Sequence, residues 1–286
     1  MIKRFSIQRT GEISMKIIWQ GLKVTFGFFL VGGLVFASSV FAVLLYAKAT
    51  GKEPAIFASS PTAIIATPTA AVKAAQTPAP TPVAQIKKSA MIDAPVFAQL
   101  PELPAGCEIT SLTMLLNYAG IAKNKMDLAA EMPKDETPAT LNADGSIASW
   151  GNPNTGFVGD VTRKTRGFGI YHSGLFPLLK HYMPQAIDIT GESFDMYEQQ
   201  IARDIPVIAW TTIDFNIPYK WVTWETPTGP LKTTYAEHAV LLVGYDENNV
   251  YLNDPLSGKK QVQVNKAQFI ESWTAMGKQG LTYLKK

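Results

Sequence analysis

The 286-residue chain predicts an α+β domain preceded by a single transmembrane helix and a Pro/Ala/Thr-rich linker. Residues 24–47 are apolar and carry no charge. Residues 54–89 hold six Pro, five Thr and ten Ala, with almost no large apolar side chains after Ile65. From Met91 onward, hydrophobic runs alternate between helical and strand periods, the pattern of a mixed α and β domain.

The first element is the apolar run Val24–Ala47. As a helix, its 24 residues extend roughly 36 Å, enough to cross a hydrocarbon core of about 30 Å with some tilt. Lys3, Arg4, Arg9, Lys16 and Lys23 precede it. The positive-inside bias therefore makes 1–23 a basic cytoplasmic N-terminus and 24–47 a signal anchor, with everything after it outside the cell. An apolar stretch this long exceeds the 7–15 residues usual in a cleaved signal peptide, although small-residue sites such as Ala47-Lys48-Ala49 lie nearby. Retention gives a single-pass membrane protein, and cleavage a secreted one. Residues 48–90 are expected to be a disordered linker, because such a composition cannot bury enough surface to offset its ordering entropy.

The domain proper is assigned to 91–286. Ten of the 26 Lys/Arg but only two of the 23 Asp/Glu lie in residues 1–89, which leaves 16 basic and 21 acidic residues in 91–286, a net charge of −5. That balance argues against a nucleic-acid partner. Ile109, Leu112, Leu115, Leu116 and Ala119 share one helical face that stops at Gly120. A second helix is expected over 193–204, opened by Ser193 and closed before Pro206. A third runs from Asn265 to Met276. Strands are read at Val207–Ile213, Ala239–Tyr245, Val250–Asn253, Gln261–Val264 and Leu281–Leu284. Residues 133–170 and 214–236, rich in Gly, Pro, Asn and Thr, are read as long loops of the kind that cover a site. Their Trp150, Phe157, Trp221 and Trp224 either line a cleft or pack those loops.

The chain has one cysteine, so no internal disulfide is available to it. A lone cysteine is commonly a small buried hydrophobe. Cys107, however, follows the turn Leu103-Pro104-Ala105-Gly106 and opens the first helix. There the helix dipole and unpaired amides favour a thiolate, and the Cys107 N–H is free to bind an oxyanion. Glu108 beside it works slightly against electrophilic binding, although a carboxylate in the first turn also stabilises the helix. Three histidines are available as a base. His172 and His181 read as surface or packing residues. His238 begins the apolar strand that ends at Tyr245, and the polar turn Asp246–Asn249 leads into a second strand ending at Asn253-Asp254-Pro255. Folding that hairpin brings Asp254 back to His238, where it can fix the imidazole tautomer. An ordinary Asp-Pro turn is the alternative. No HExxH motif or clustered Cys/His spacing indicates zinc, and no GxSxG elbow indicates a serine hydrolase.

These residues carry a resemblance. The stretch Gln99-Leu-Pro-Glu-Leu-Pro-Ala-Gly-Cys107-Glu-Ile-Thr-Ser-Leu-Thr-Met114, together with Glu237-His238-Ala-Val and Asn253-Asp254-Pro255, resembles family thirty-nine of the cysteine peptidases. It is most similar to the stand-alone domains exported by Gram-positive bacteria. Trp150–Gly159 and Gly169-Ile-Tyr-His172 match the same branch, and the resemblance covers about 93–286. It implies a papain-like fold, a Cys107–His238–Asp254 triad, Gln99 in the oxyanion hole, and neither metal nor cofactor. The pattern departs from the bacteriocin-processing branch, in which Gln lies closer to Cys and Gly follows it. The chain also has no GxxxxGK[ST] loop of an attached transporter. The expected activity is therefore extracytoplasmic cysteine-dependent hydrolysis of a peptide or protein. The alternatives are a cell-wall endopeptidase or amidase with the same triad, and a non-catalytic surface binding domain. The oligomeric state is left open.

Overall fold

The computed structural model describes residues 87–285. The basic N-terminus 1–23, the expected anchor 24–47 and linker residues 48–86 lie outside the described residues. Among those described, no helix is long and apolar enough to cross a membrane.

The chain runs β1 (Ala90–Met91), α1 (Cys107–Tyr118), α2 (Lys125–Glu131), then four short strands. These are β2 (Lys134–Asp135), β3 (Thr140–Leu141), β4 (Ile147–Ser149) and β5 (Phe157–Val158). Next come α3 (His172–Tyr182), β6 (Ala186–Asp188), α4 (Phe194–Ala202) and β7 (Val207–Thr212). The hairpin β8 (Val222–Thr226) and β9 (Gly229–Thr233) precedes β10 (Glu237–Tyr245), β11 (Asn249–Asp254) and β12 (Lys259–Asn265). Helix α5 (Lys266–Ala275) and β13 (Gly280–Tyr283) complete the chain.

The main sheet has seven strands in the order β12-β11-β10-β7-β13-β6, with β1 paired to β10, and every pairing in it is antiparallel. Its central strands β7 and β10 are buried along their whole length, so Val207–Trp210 and Ala239–Val243 read as continuous apolar runs. Helix α1 packs on β10 and β7 and also meets α2 and α3. Ten consecutive residues, Cys107–Leu116, are buried. The sequence pattern shows one apolar face, but tertiary packing covers the polar face as well. Two of the buried hydroxyls there turn to backbone carbonyls, Ser111 Oγ donating to Ala239 O and Thr113 Oγ1 to Ile109 O, whereas Thr110 Oγ1 is buried without a partner. Burying Leu112, Leu115 and Leu116 contributes about 1.5–3 kcal/mol each.

Most predicted elements appear within two residues of their expected ends. Asn265 caps α5 by accepting from the Gln268 N–H, and Ser193 precedes α4 without such a bond. Two stretches read as long loops are exceptions: 133–170, which contains the short strands β2–β5, and, more fully, 214–236. The latter contains the β8–β9 hairpin, which pairs through β4 with β3 in a second, four-stranded sheet. Pro227, Gly229 and Pro230 give that stretch the composition of a loop, but they lie in or just after the turn. The preceding residues alternate, with Trp224 inward and Thr223 and Glu225 outward. Trp224 donates its indole N–H to Gly151 O at 2.9 Å, which fastens the second sheet to the 150–159 segment.

Candidate active site

The start of α1 is set by a close backbone approach. Gly106 N–H donates to Leu103 O at 2.9 Å, and a Cβ on Gly106 would sit 2.6 Å from Leu103 Cβ. Only glycine fits that turn without a shift. The helix has no side-chain N-cap bond.

The β10–β11 ribbon brings the second group together. Leu241 pairs with Asn253, which sets Asp254 diagonally across from His238. His238 Nε2 and Asp254 Oδ1 lie 2.8 Å apart, both buried. Burial acts to raise the Asp254 carboxyl, but the bond and charge of His238, helped by Ser257 and the Leu256 amide, bring it down to about 2. It is thus a carboxylate that holds the imidazole by Nε2, leaving Nδ1 for the opposite side of the ring. Gln99 joins the same end of the ribbon, where its N–H donates to Pro255 O at 2.8 Å. Its side-chain Nε2 donates to Pro104 O at 2.9 Å in the turn leading to Cys107, and its Oε1 is buried without a partner.

The thiol faces a different set of groups. Cys107 Sγ donates to Glu108 Oε2 at 3.3 Å, and Glu108 Oε1 accepts the Ile170 N–H at 2.7 Å. Glu237 is buried too, and its Oε1 has no hydrogen-bond partner. One donor atom from each of Cys107, Glu108 and Glu237 lies within 4.8 Å of the others. Strand alternation places Glu237 and Ala239 on one face of β10 and His238 on the other. Among the described residues, Glu108 rather than His238 is the hydrogen-bond partner of the thiol.

This arrangement reverses the electrostatic expectation drawn from the helix start. Burial pushes the Cys107 thiol up, and the charges of Glu108 and Glu237 push it further, against a smaller opposing effect of the Ala239 amide. Burial raises Glu108 to about 7, offset in part by the Ile170 amide, and raises Glu237 as well, with Glu108 adding to the effect. Two buried carboxyls this close hold on to a proton. The arrangement fits a neutral thiol beside a partly protonated carboxyl pair. The same three donors are also the described residues that could hold a divalent ion, through one thiolate and two carboxylates.

Glu108 and Glu237 were the neighbours that motif reading undervalued. The available signal was a lone acid embedded in each of two apolar runs, Cys107–Leu116 and Glu237–Tyr245. The other histidines face elsewhere. His172 Nδ1 lies 2.6 Å from Asp188 Oδ2, and His181 packs edge-on against Tyr182. Trp150, Phe157 and Trp224 are core residues, whereas Trp221 is partly exposed.

Comparison with known proteins agrees with this architecture. The sequence profile of the Peptidase_C39 like family matches residues 91–281. The uncharacterised protein YvpB of Bacillus subtilis (strain 168) is 38% identical over 205 residues, which is 70% of this chain and 79% of the relative. The crystal structure of a candidate C39-like peptidase from Bacillus anthracis superposes with a TM-score of 0.63 at 41% identity, covering 70% of this chain and 99% of the other. The chain belongs to the Peptidase_C39 like family.

Proposed function

We propose that this member of the C39-like family is a cysteine peptidase of papain-like fold that cleaves peptide bonds with Cys107, His238 and Asp254. The observation that carries the reading is the buried His238–Asp254 pair, 2.8 Å apart and tied through Gln99 to the turn that presents Cys107. Catalytic hydrogen bonds are commonly incomplete before substrate is seated. In this reading the thiol leaves Glu108 and pairs with His238 when substrate enters.

The chemistry follows from the tautomer. Nε2–H donates to the Asp254 carboxylate, so Nδ1 takes the Cys107 proton. The thiolate then attacks the carbonyl carbon, forming the C–S bond and a tetrahedral oxyanion. The Cys107 N–H and a Gln99 Nε2–H donate to that oxygen. Collapse breaks the C–N bond, and the leaving amine takes the proton from His238. Water, deprotonated by the same imidazole, attacks the thioester, the C–S bond breaks, and the thiol is regenerated. The basic residues 1–23, the apolar segment 24–47 and the Pro/Ala/Thr-rich linker support placing this domain outside the cell on a membrane tether.

The test is incubation of the full-length protein with a degenerate peptide mixture, reading new termini by mass spectrometry. Cleavage by the wild type that disappears in both Cys107→Ala and His238→Ala is expected. Cleavage surviving either substitution would exclude this mechanism.

A further inference from the structure

Outside the candidate triad, the most unusual surface is an aromatic, cationic double cleft formed by β8, the segment before it, and the approach to β10. One cavity, of about 590 Å³, is lined by Ile147, Arg166, Lys220, Trp221, Trp224 and Tyr235 among others. The adjoining one, of about 300 Å³, shares Lys220, Val222 and Tyr235 and adds Ile213 and Tyr219. Large apolar side chains that a folded domain normally covers stand open here. Tyr219 is 94% exposed, and Ile213 and Tyr235 are each 48% exposed. Exposed apolar side chains gathered in one place mark a binding surface.

The cleft also carries charge of one sign. Arg166 and Lys220 line it, and Lys232 Nζ lies 5.0 Å from the centre of the Trp221 ring at its edge. Neither cavity is lined by a carboxylate. Two nearby acids are turned to their own loops: Asp144 accepts from Ser146, and Asp214 from Asn216 and Thr212. None of the three cations is in an ion pair among the described residues. A cationic trough in a domain whose net charge is −5 is complementary to an anionic ligand.

Its floor leads to the thiol. Phe168 packs edge-on against Tyr235 and Trp224, with ring centroids 6.2 and 5.1 Å away. At the next residue, Gly169, an added Cβ would meet the carboxyls of Glu108 and Glu237. Tyr235 and Ala236 lead directly into Glu237 and His238.

We propose that this double cleft is the substrate groove, and that it takes an extended polypeptide segment with a bulky apolar side chain next to a carboxylate. The assignment rests on the peptidase reading for what happens to the bound segment, but not for the binding itself. Two adjoining cavities divided by Tyr235 suit side chains of an extended chain that point to the same face about 7 Å apart. Trp221 and Tyr235 hold the apolar group, and Arg166 and Lys220 pair with the carboxylate.

The experiment is fluorescence anisotropy of labelled decapeptides with full-length Cys107→Ser protein, which binds without turnover. One peptide carries Phe flanked by Asp and Glu, one has Lys in place of the acids, and one has Ser in place of Phe. The acidic aromatic peptide should bind at least about tenfold more tightly than either control and lose that advantage in R166E/K220E. Its affinity should also fall as salt rises. Equal affinity for all three peptides, no binding, or unchanged binding in the double variant would overturn the proposal. So would binding of purified peptidoglycan that the peptides fail to displace. Selective peptide binding without cleavage by the wild type would instead sink the hydrolytic reading and leave the groove assignment standing.

Discussion

Replacing Glu108 with Gln should make Cys107 more reactive. Glu108 Oε2 accepts the thiol proton at 3.3 Å, and its charge opposes thiolate formation. Two like charges 3.3 Å apart in a surrounding of effective dielectric about 20 repel by about 5 kcal/mol. Relaxation of the pair and the positive charge of Arg163 beside Glu108 reduce this repulsion. Gln retains an oxygen to accept the Ile170 N–H, and its amide N–H can donate to a thiolate. Each unit of lowered thiol pKa multiplies the thiolate fraction by about ten and cuts its intrinsic nucleophilicity about threefold. Iodoacetamide labelling of Glu108→Gln at pH 8 should therefore be about 10- to 30-fold faster than wild type. The advantage should shrink at pH 6, below the value of about 7 at which Glu108 takes up a proton. Labelling that is unchanged or slower at pH 8, in a variant with wild-type circular dichroism, would refute the claim that Glu108 suppresses the thiol.

Two further consequences concern stability. Glu108 is raised when folded, so its contribution is complete below about pH 4.5 and is lost as pH rises through about 7, on the order of 3 kcal/mol. Chemical denaturation of Glu108→Gln at pH 5 and 8 should show a smaller loss over that interval than wild type; an equal loss would assign it to other groups. Asp254 has the opposite sign. Held at about 2, it stabilises the fold above about pH 4, and that contribution, about 1 kcal/mol after solvent screening, disappears as pH falls toward 2. Asp254→Asn should flatten this part of the acid limb, and an unchanged acid midpoint would contradict the assignment. Gly169→Ala places a Cβ 2.4 Å from Glu108 Oε1 and 3.1 Å from Glu237 Oε2. Such overpacking costs about 1–3 kcal/mol and should lower the unfolding temperature by several degrees; unaltered melting would show that the carboxyls move aside freely.

What could be read from sequence was mostly local. The helix opening at Cys107 was visible in its turn and apolar face. The approach of His238 to Asp254 followed from one short hairpin, whose register is fixed by the two strands and the turn between them. The meeting of Glu108 and Glu237 was not legible, because it depends on which face of β10 receives the start of α1, a matter of tertiary packing. For the same reason the helix-dipole argument gave the wrong sign for the thiol. It counts the amides of one helix but not burial or a carboxylate from a distant strand. The β8–β9 hairpin was obscured because its turn residues gave the whole stretch a loop-like composition, although Val222–Thr226 alternates as a strand should.

The central claim is that His238 serves Cys107 as its base. It is tested most directly by the iodoacetamide labelling rate of Cys107 from pH 5 to 9, measured on full-length wild type and His238→Ala. The account predicts a rate at pH 7 at least about tenfold lower in the variant than in the wild type, and a different dependence on pH in the two proteins. Superimposable profiles for the two proteins would mean that the imidazole does not reach the thiol, and would contradict the proposed mechanism.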